Sequence, residues 1–401
     1  MVIDKKIIKN IYKDDVPIYL YDLDAIKENI DNISNYMPSN FLLYYAIKAN
    51  PNKHILKYIK SNKNISGFEV ASSGELKKAL HYYKNKNILF TGPGKTESEL
   101  REAIIQGIKL INVESVIEAI RINKIAIEEG ITGVDVLLRI NLDYRIENAA
   151  ENMGGMSTKF GIDECNLNTS IKSIQKLNRI NIKGIHVFSA SGILDYMDAI
   201  LYANQVFKLS EYIEKKYFKI EYIDLGGGFG VDYTDGNQKF DTIKYFEEMN
   251  KLIKKYDYYD KKIVLELGCY LVANCGYYLS KIIDIKSSKG YKHIIISGGL
   301  NHIPTATLNG KHPFTIINMG EKKLYNKQIK VSDEIADIDG PLCTAEDKVL
   351  WSVYIKHANI GDVVVIKQAG AYCYSAAWLE FLSHPYPYEI IYSKKGGKYY
   401  V

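Results

Sequence analysis

The stretch Phe41-Leu-Leu-Tyr-Tyr-Ala-Ile-Lys-Ala-Asn-Pro51 decides how the rest of the chain is read. Its apolar run 41–47 has the length of a buried strand, and Asn50-Pro51 then breaks it before a helical stretch from about 54 to 59. Lys48 therefore sits at the C-terminal end of a strand, where burial can lower a lysine's pKa and prepare it to form a Schiff base. The same placement also suits a lysine that merely marks where a strand reaches water.

Working outward, strand-like runs recur at 41–47, 65–70, 87–91, 109–113, 134–141, 182–188, 220–225 and 263–267. Helical patterns separate them at 73–82, 97–106, 116–129, 167–177, 195–216 and 242–256. This alternation is that of parallel β/α units, and eight repeats predict an α/β fold with a closed (β/α)8 barrel of the TIM type. After residue 285 the pattern turns to short strands at 293–297, 328–331, 362–366 and 388–392, and 17–22 reads as another. The expected organisation is a barrel over 28–285 and a mainly β domain built from 1–27 and 286–401.

Composition bounds the function. With 401 residues, 47% hydrophobic and 25% charged, the chain is globular and long enough for two domains. The net charge of +5 is small and its lysines are scattered pairs, so no nucleic-acid partner is expected. Five cysteines without CxxC spacing argue against a disulfide framework or a zinc site, so no metal is expected and a reducing cytoplasm fits. Met1-Val-Ile-Asp-Lys-Lys6 lacks the apolar core of a signal peptide, and no run is long enough to span a bilayer. No membrane partner is expected.

In a barrel, all strand ends open on one mouth. Gathered there are Lys48, Glu69 with Ser72, Gly92-Pro-Gly94, Glu114-Ser115, Arg139 with Asn141, Ser189 with Ser191, Gly226-Gly-Gly228 and Glu266. Asp224-Leu-Gly-Gly-Gly-Phe-Gly230 follows a strand and can wrap a phosphate in backbone N–H groups, or simply form a tight turn. It departs from dinucleotide and P-loop spacings, which favours a phosphate monoester. Glu266 can hold a protonated ring nitrogen, or form a rim salt bridge. Lysine, phosphate cradle and acid together match the three handles of pyridoxal 5'-phosphate, whose ring serves as an electron sink.

The chain as a whole resembles the fold-type III pyridoxal-phosphate decarboxylases, the diaminopimelate and ornithine decarboxylase family. Seven motifs carry the resemblance in order: Tyr45–Asn50, Gly67-Phe-Glu-Val-Ala-Ser72, Gly184-Ile-His186, Asp224–Gly230, Glu266-Leu-Gly268, Gly340-Pro-Leu-Cys-Thr344 and Gly370-Ala-Tyr372. It implies an alanine-racemase-like barrel plus a β domain, and a homodimer with active sites shared between subunits. By position, Lys48 resembles the Schiff-base lysine and Glu266 the partner of the pyridine nitrogen. Gly226, Gly227, Gly228, Ser191 and Tyr372 resemble the phosphate contacts, and His186 and Arg139 the residues supporting the ring. Cys343 resembles the cysteine that reaches in from the partner subunit and reprotonates the decarboxylated carbon, although a free cysteine in Pro-Leu-Cys-Thr also suits a small buried hydrophobe.

Four departures bear on the substrate. Phe188 stands where family members usually stack a histidine on the ring, and an aromatic face is kept. Cys269 replaces the arginine that follows Glu-x-Gly in diaminopimelate decarboxylases. Gly299-Leu-Asn301 is followed by Thr305 and Asn309 rather than an arginine and a tyrosine. Thr344 replaces the acid that usually follows the cysteine. Each lost charge-assisted contact costs about 1.5–3 kcal/mol, which disfavours diaminopimelate. Asn152-Met-Gly-Gly155 with Lys159-Phe-Gly161, Gly298-Gly-Leu-Asn-His302 and Phe381-Leu-Ser-His-Pro385 are more similar to decarboxylases of specialised pathways. Those act on carrier-tethered glutamyl groups or conjugated diamino acids of siderophore assembly. The expected activity is thus decarboxylation of a modified, conjugated or carrier-tethered L-amino acid. Cys269, His302, Lys311 and Thr344 are candidates for contacting its distal group. The Met-Gly-Gly segment forms either a loop over the site or an ordinary surface turn. Lysine-forming diaminopimelate decarboxylation, amino-acid racemisation and a non-catalytic regulatory role are the alternatives.

Overall fold

The computed structural model describes residues 2–12, 14–234, 236–304, 312–320 and 330–393. Eight strands form where the alternation predicts them: Phe41–Ala46, Gly67–Val70, Ile88–Phe90, Leu110–Val113, Val134–Asn141, Ile180–His186, Tyr222–Asp224 and Lys262–Leu267. Each pairs in parallel with its successor. The eighth pairs with the first, Leu265 opposite Leu43, and so closes the barrel. Tyr44, Leu89, Leu110, Leu137, Tyr222 and Val264 meet inside as a buried cluster, making the interior a packed core rather than a channel.

Helices connect the strands, among them Ser73–Tyr82, Glu97–Gln106, Val116–Glu128, Tyr196–Lys216 and Thr242–Tyr256. Their N-caps explain how the mouth is built. Ser72 accepts from the Glu75 N–H, Ser115 from the Glu118 N–H, and Thr96 forms a reciprocal capping box with Glu99. Such caps contribute about 1 kcal/mol each. Because Ser72 and Ser115 stand two residues past their strands, the chain turns tightly and leaves the strand-end side chains at the rim.

The chain divides into two compact units, one of residues 30–231 and 238–271, the other of 1–29, 232–237 and 272–401. The second unit holds an eight-stranded, mostly antiparallel sheet. At its centre Gly276–Ser288 pairs with Ile18–Asp22, Tyr291–Ile296 and Val363–Lys367. Ile18–Asp22 also pairs in parallel with Tyr388–Tyr392, so the N-terminal strand joins this sheet. Ile8, Ile18, Leu20, Leu279, Val363, Val365 and Ile390 form its core. Residues 272–285, which the sequence pattern attaches to the barrel, fall in this unit. Gly276–Ser288 is one continuous strand whose first five residues are all buried, so it lacks the alternation that marks a half-exposed strand. The strand expected at 328–331 runs instead over Val331–Asp339, with residues 328 and 329 outside the described set. Among the described residues, no helix is long and apolar enough to cross a membrane.

Candidate active site

Lys48 lies on a single helical turn, Ile47–Ala49, directly after the first barrel strand. The Tyr45 hydroxyl donates to the Asn50 carbonyl at 3.0 Å and braces that turn. The Lys48 ammonium stands 3.2 Å from one carboxylate oxygen of Glu69 and 3.4 Å from the other. The Lys48 side chain is 38% exposed and that of Glu69 fully buried, so the burial expected at the lysine falls on its partner. Burial pushes the Glu69 carboxyl up to about 7, against the pull of Lys48.

A second cluster forms where the sixth, seventh and eighth strands end. One ligand atom each of His186, Asp224 and Glu266 lies within 4.8 Å of the others, and all three side chains are buried. Glu266 Oε2 is 3.5 Å from His186 Nε2. Its Oε1 accepts from Thr91 Oγ1 and Asn112 Nδ2, each at 3.4 Å. Burial opposes ionisation of Glu266, yet His186, Lys48 and Asp224 together hold its carboxyl down at about 2. Burial holds the His186 imidazole below its usual range and the Asp224 carboxyl far above its own. Of the two carboxyls in the cluster, Glu266 is the one its neighbours favour as the anion.

The glycine run shapes one wall. Gly226 and Gly228 take φ of 64° and 105°, a left-handed backbone that side chains resist. A Cβ on Gly227 would fall 2.2 Å from the Glu266 carbonyl oxygen, and one on Gly226 2.8 Å from the Phe188 ring. The loop is therefore seated directly against the eighth strand and Phe188. Asp224 Oδ1 accepts the Gly226 N–H at 2.8 Å, tying the start of the loop to its own strand. Ser191 is half-buried on a two-residue strand paired with Glu151 and Asn152, the beginning of the Met-Gly-Gly segment. Asn141 accepts from the Gly155 N–H and donates to the Met156 carbonyl, so that segment folds back onto the fifth strand.

Arg139 is held at 2.6 Å by Glu114 Oε1, with its guanidinium 4.5 Å from the Phe160 ring centre. The other oxygen of Glu114 accepts the Gly161 N–H at 2.7 Å. Thr91, Asn112, Asp224 and Phe160 thus join the site although the motifs did not single them out as functional residues. Thr91 directly follows the strand Ile88–Phe90, and that strand-end position was the signal that could have found it, whereas Asn112 lies inside Leu110–Val113.

The remaining candidates divide by unit. Cys269 is half-buried at the start of the short helix Cys269–Val272 that follows the eighth strand. In the β-rich unit, Tyr372 is half-buried with φ of 56°, a conformation costly for a non-glycine residue and typical of functional sites. Cys343 is an exposed free thiol, and Thr344 bonds its neighbour Glu346. His302 is buried: its Nδ1 meets the Tyr278 hydroxyl at 3.3 Å, and burial lowers its pKa to about 4. It presents no positive charge for a distal carboxylate. Lys311, with Thr305 and Asn309, lies outside the described residues.

Asp347 ties the candidate loops of this unit together. Its carboxylate accepts the Leu300 N–H at 2.6 Å and the Leu342 N–H at 2.7 Å. Gly298–His302 and the loop carrying Cys343 are thereby held by one buried side chain.

The barrel mouth fits pyridoxal phosphate on its own chemistry. Both ring nitrogens of His186, Asn112 Oδ1 and Ser189 Oγ are buried without a hydrogen-bond partner among the described residues. Such orphaned groups around an anion, a lysine and a side-chain-free loop are what a polar aromatic ligand with a phosphate would satisfy.

Comparison with known proteins agrees. Residues 23–273 match the model of the pyridoxal-dependent decarboxylase family's pyridoxal-binding domain. A Staphylococcus aureus protein, 2-[(L-alanin-3-ylcarbamoyl)methyl]-2-hydroxybutanedioate decarboxylase, is 36% identical over 93% of each chain. The L-glutamyl-[BtrI acyl-carrier protein] decarboxylase of Niallia circulans is 33% identical over 96% of this chain and 90% of its own. Among solved structures, diaminopimelate decarboxylase from Helicobacter pylori complexed with L-lysine superposes with a TM-score of 0.87 at 26% identity, covering 99% of this chain and 95% of that one.

Proposed function

Because this chain belongs to the pyridoxal-dependent decarboxylase family, we propose that it removes CO2 from the α-carbon of a conjugated or carrier-tethered L-amino acid in a specialised pathway. The observation that carries the substrate class is the joint similarity to the Staphylococcus and Niallia decarboxylases, together with Cys269 and Thr344 where diaminopimelate enzymes keep charged groups.

Bound pyridoxal phosphate supplies an electron sink for the pair left when CO2 departs. Lys48, on the turn that follows the first barrel strand, would hold the cofactor by its aldehyde. Glu69, 3.2 Å from the Lys48 ammonium, balances its charge. Glu266 would hold the protonated ring nitrogen, with Phe188 and His186 as the supporting side chains beside it. Gly226, Gly227, Gly228 and Ser191 would bind the phosphate, and Arg139 is held ready by Glu114. Cys343, exposed on its loop, delivers the proton to the carbon that has lost CO2, reaching the site from a second copy of the chain in a homodimer. The protein works in the cytoplasm, where its five free thiols stay reduced.

The test is CO2 release from a panel of free diaminopimelate, free ornithine, a carbamoyl-linked 2,3-diaminopropionate conjugate and glutamyl-carrier protein. One of the last two should exceed free diaminopimelate in kcat/KM by about a hundredfold or more, the loss expected from two missing charged contacts. Equal or better turnover of diaminopimelate would sink the substrate reading and leave the reaction class standing.

A further inference from the structure

Four buried carboxylates, Glu69, Glu114, Asp224 and Glu266, gather at the barrel mouth, and the cations near them are fewer. Glu69 and Asp224 are fully buried and Glu266 is 7% exposed. Lys48 pairs with Glu69, and Arg139 is taken by Glu114 at 2.6 Å. The imidazole of His186 stands beside Glu266, and the phenols of Tyr44 and Tyr202 also face the group as neutral side chains. Asp224 is left with one backbone donor, the Gly226 N–H on Oδ1. Its Oδ2 is buried without a hydrogen bond among the described residues, and the Asp224, Glu266 and His186 groups lie within 4.8 Å of one another.

Two carboxylates this close and this dry do not both ionise. The donors decide which one keeps the proton. Glu266 faces Thr91 Oγ1, Asn112 Nδ2 and the His186 ring, all of which favour an anion. Asp224 has a single N–H.

We propose that Asp224 is a positioning residue that works as a neutral carboxylic acid, turning its Oδ2 proton toward Glu266 so that Glu266 remains the one anion available to the cofactor's ring nitrogen. The proposal rests on the cofactor reading above, and its tests do not depend on the substrate. It assigns the Asp of Asp224-Leu-Gly-Gly-Gly a chemical duty beyond starting the phosphate loop. An asparagine would reproduce both contacts, its oxygen accepting from Gly226 and its amide donating to Glu266. A leucine of similar shape would reproduce neither.

The experiment compares Asp224→Leu and Asp224→Asn with the parent protein. Cofactor-free protein is titrated with pyridoxal phosphate by fluorescence quenching, and the visible absorbance of the loaded protein is followed across pH. Asp224→Leu should weaken cofactor affinity by about tenfold or more and displace the pH transition of the absorbance. Asp224→Asn should restore affinity to within about threefold of the parent and return the pH profile. Infrared spectra supply a readout that survives poor folding of the leucine variant: the parent protein at neutral pH should show the C=O stretch of a buried protonated carboxyl, and Asp224→Asn should lose it. An asparagine variant as impaired as the leucine one, or no such stretch in the parent, overturns the proposal. Failure of the parent to bind pyridoxal phosphate would instead overturn the cofactor reading.

Discussion

The barrel mouth and the loops of the β-rich unit carry their chemistry in opposite ways. At the mouth, ionisable groups pair across strand ends, all of them buried except Lys48: Lys48 with Glu69, Arg139 with Glu114, Glu266 with His186. In the β-rich unit, Cys343 is exposed on a loop, and a buried carboxylate, Asp347, holds the backbone beneath it. Strand ends fix where the mouth's side chains sit, whereas the loops can exchange residues without disturbing a charge balance. In the reading proposed above, the first arrangement sets the reaction and the second leaves room for the substrate to change.

The most damaging way to break the mouth is Lys48→Ala. In the proposed reading it removes the amine that would hold the cofactor, and it leaves buried Glu69 without its counter-charge. Visible absorbance of the lysine-linked cofactor should vanish, and kcat for CO2 release should fall by about a thousandfold or more. Normal turnover by this variant would end the assignment of Lys48. Asp347→Ala strikes the loops instead. It leaves two buried N–H groups, those of Leu300 and Leu342, with no acceptor, which should cost about 4 kcal/mol of stability in urea unfolding. Asp347→Asn keeps one acceptor oxygen and should fall between. A loss below about 1 kcal/mol in the alanine variant would show that Asp347 is not the tether.

The contrast also explains what the sequence made legible. Barrel strands, helices and the glycine loop announce themselves because periodicity and strand-end chemistry coincide along the chain: Phe41–Ala46 runs straight into Lys48, and Tyr222–Asp224 into Gly226. Asp347 was invisible by the same logic, since its partners Leu300 and Leu342 are distant or apolar in sequence and offer only backbone N–H groups. Asn112 was hidden for a related reason, being one polar residue inside the buried strand Leu110–Val113. His302 differs again: its motif Gly298-Gly-Leu-Asn-His302 suggests a contact to the substrate's distal group, and in the fold Tyr278 and the surrounding core enclose it.

That enclosure makes a smaller and sharper test of the β-rich unit. Folded His302 takes up a proton only near pH 4, against an ordinary value of 6.5 when exposed, with burial as the main cause. Between those values the unfolded chain binds more protons than the folded one, so stability from this residue is complete above pH 6.5 and is lost as pH falls toward 4 and below. Its share is about 2 kcal/mol after allowance for water reaching the site. Glu69 acts oppositely, because its carboxyl, raised to about 7, keeps a proton in the folded state that the unfolded chain has released, so its contribution declines as pH rises through the same interval. The pH slope of the whole protein therefore mixes the two units, and the difference between parent and His302→Gln isolates one of them. Urea unfolding at several pH values from 4 to 7 should show the variant's stability changing less steeply with pH than the parent's. Parallel curves would mean that His302 titrates as an exposed histidine does, and that burial does not hold its proton off in the folded protein.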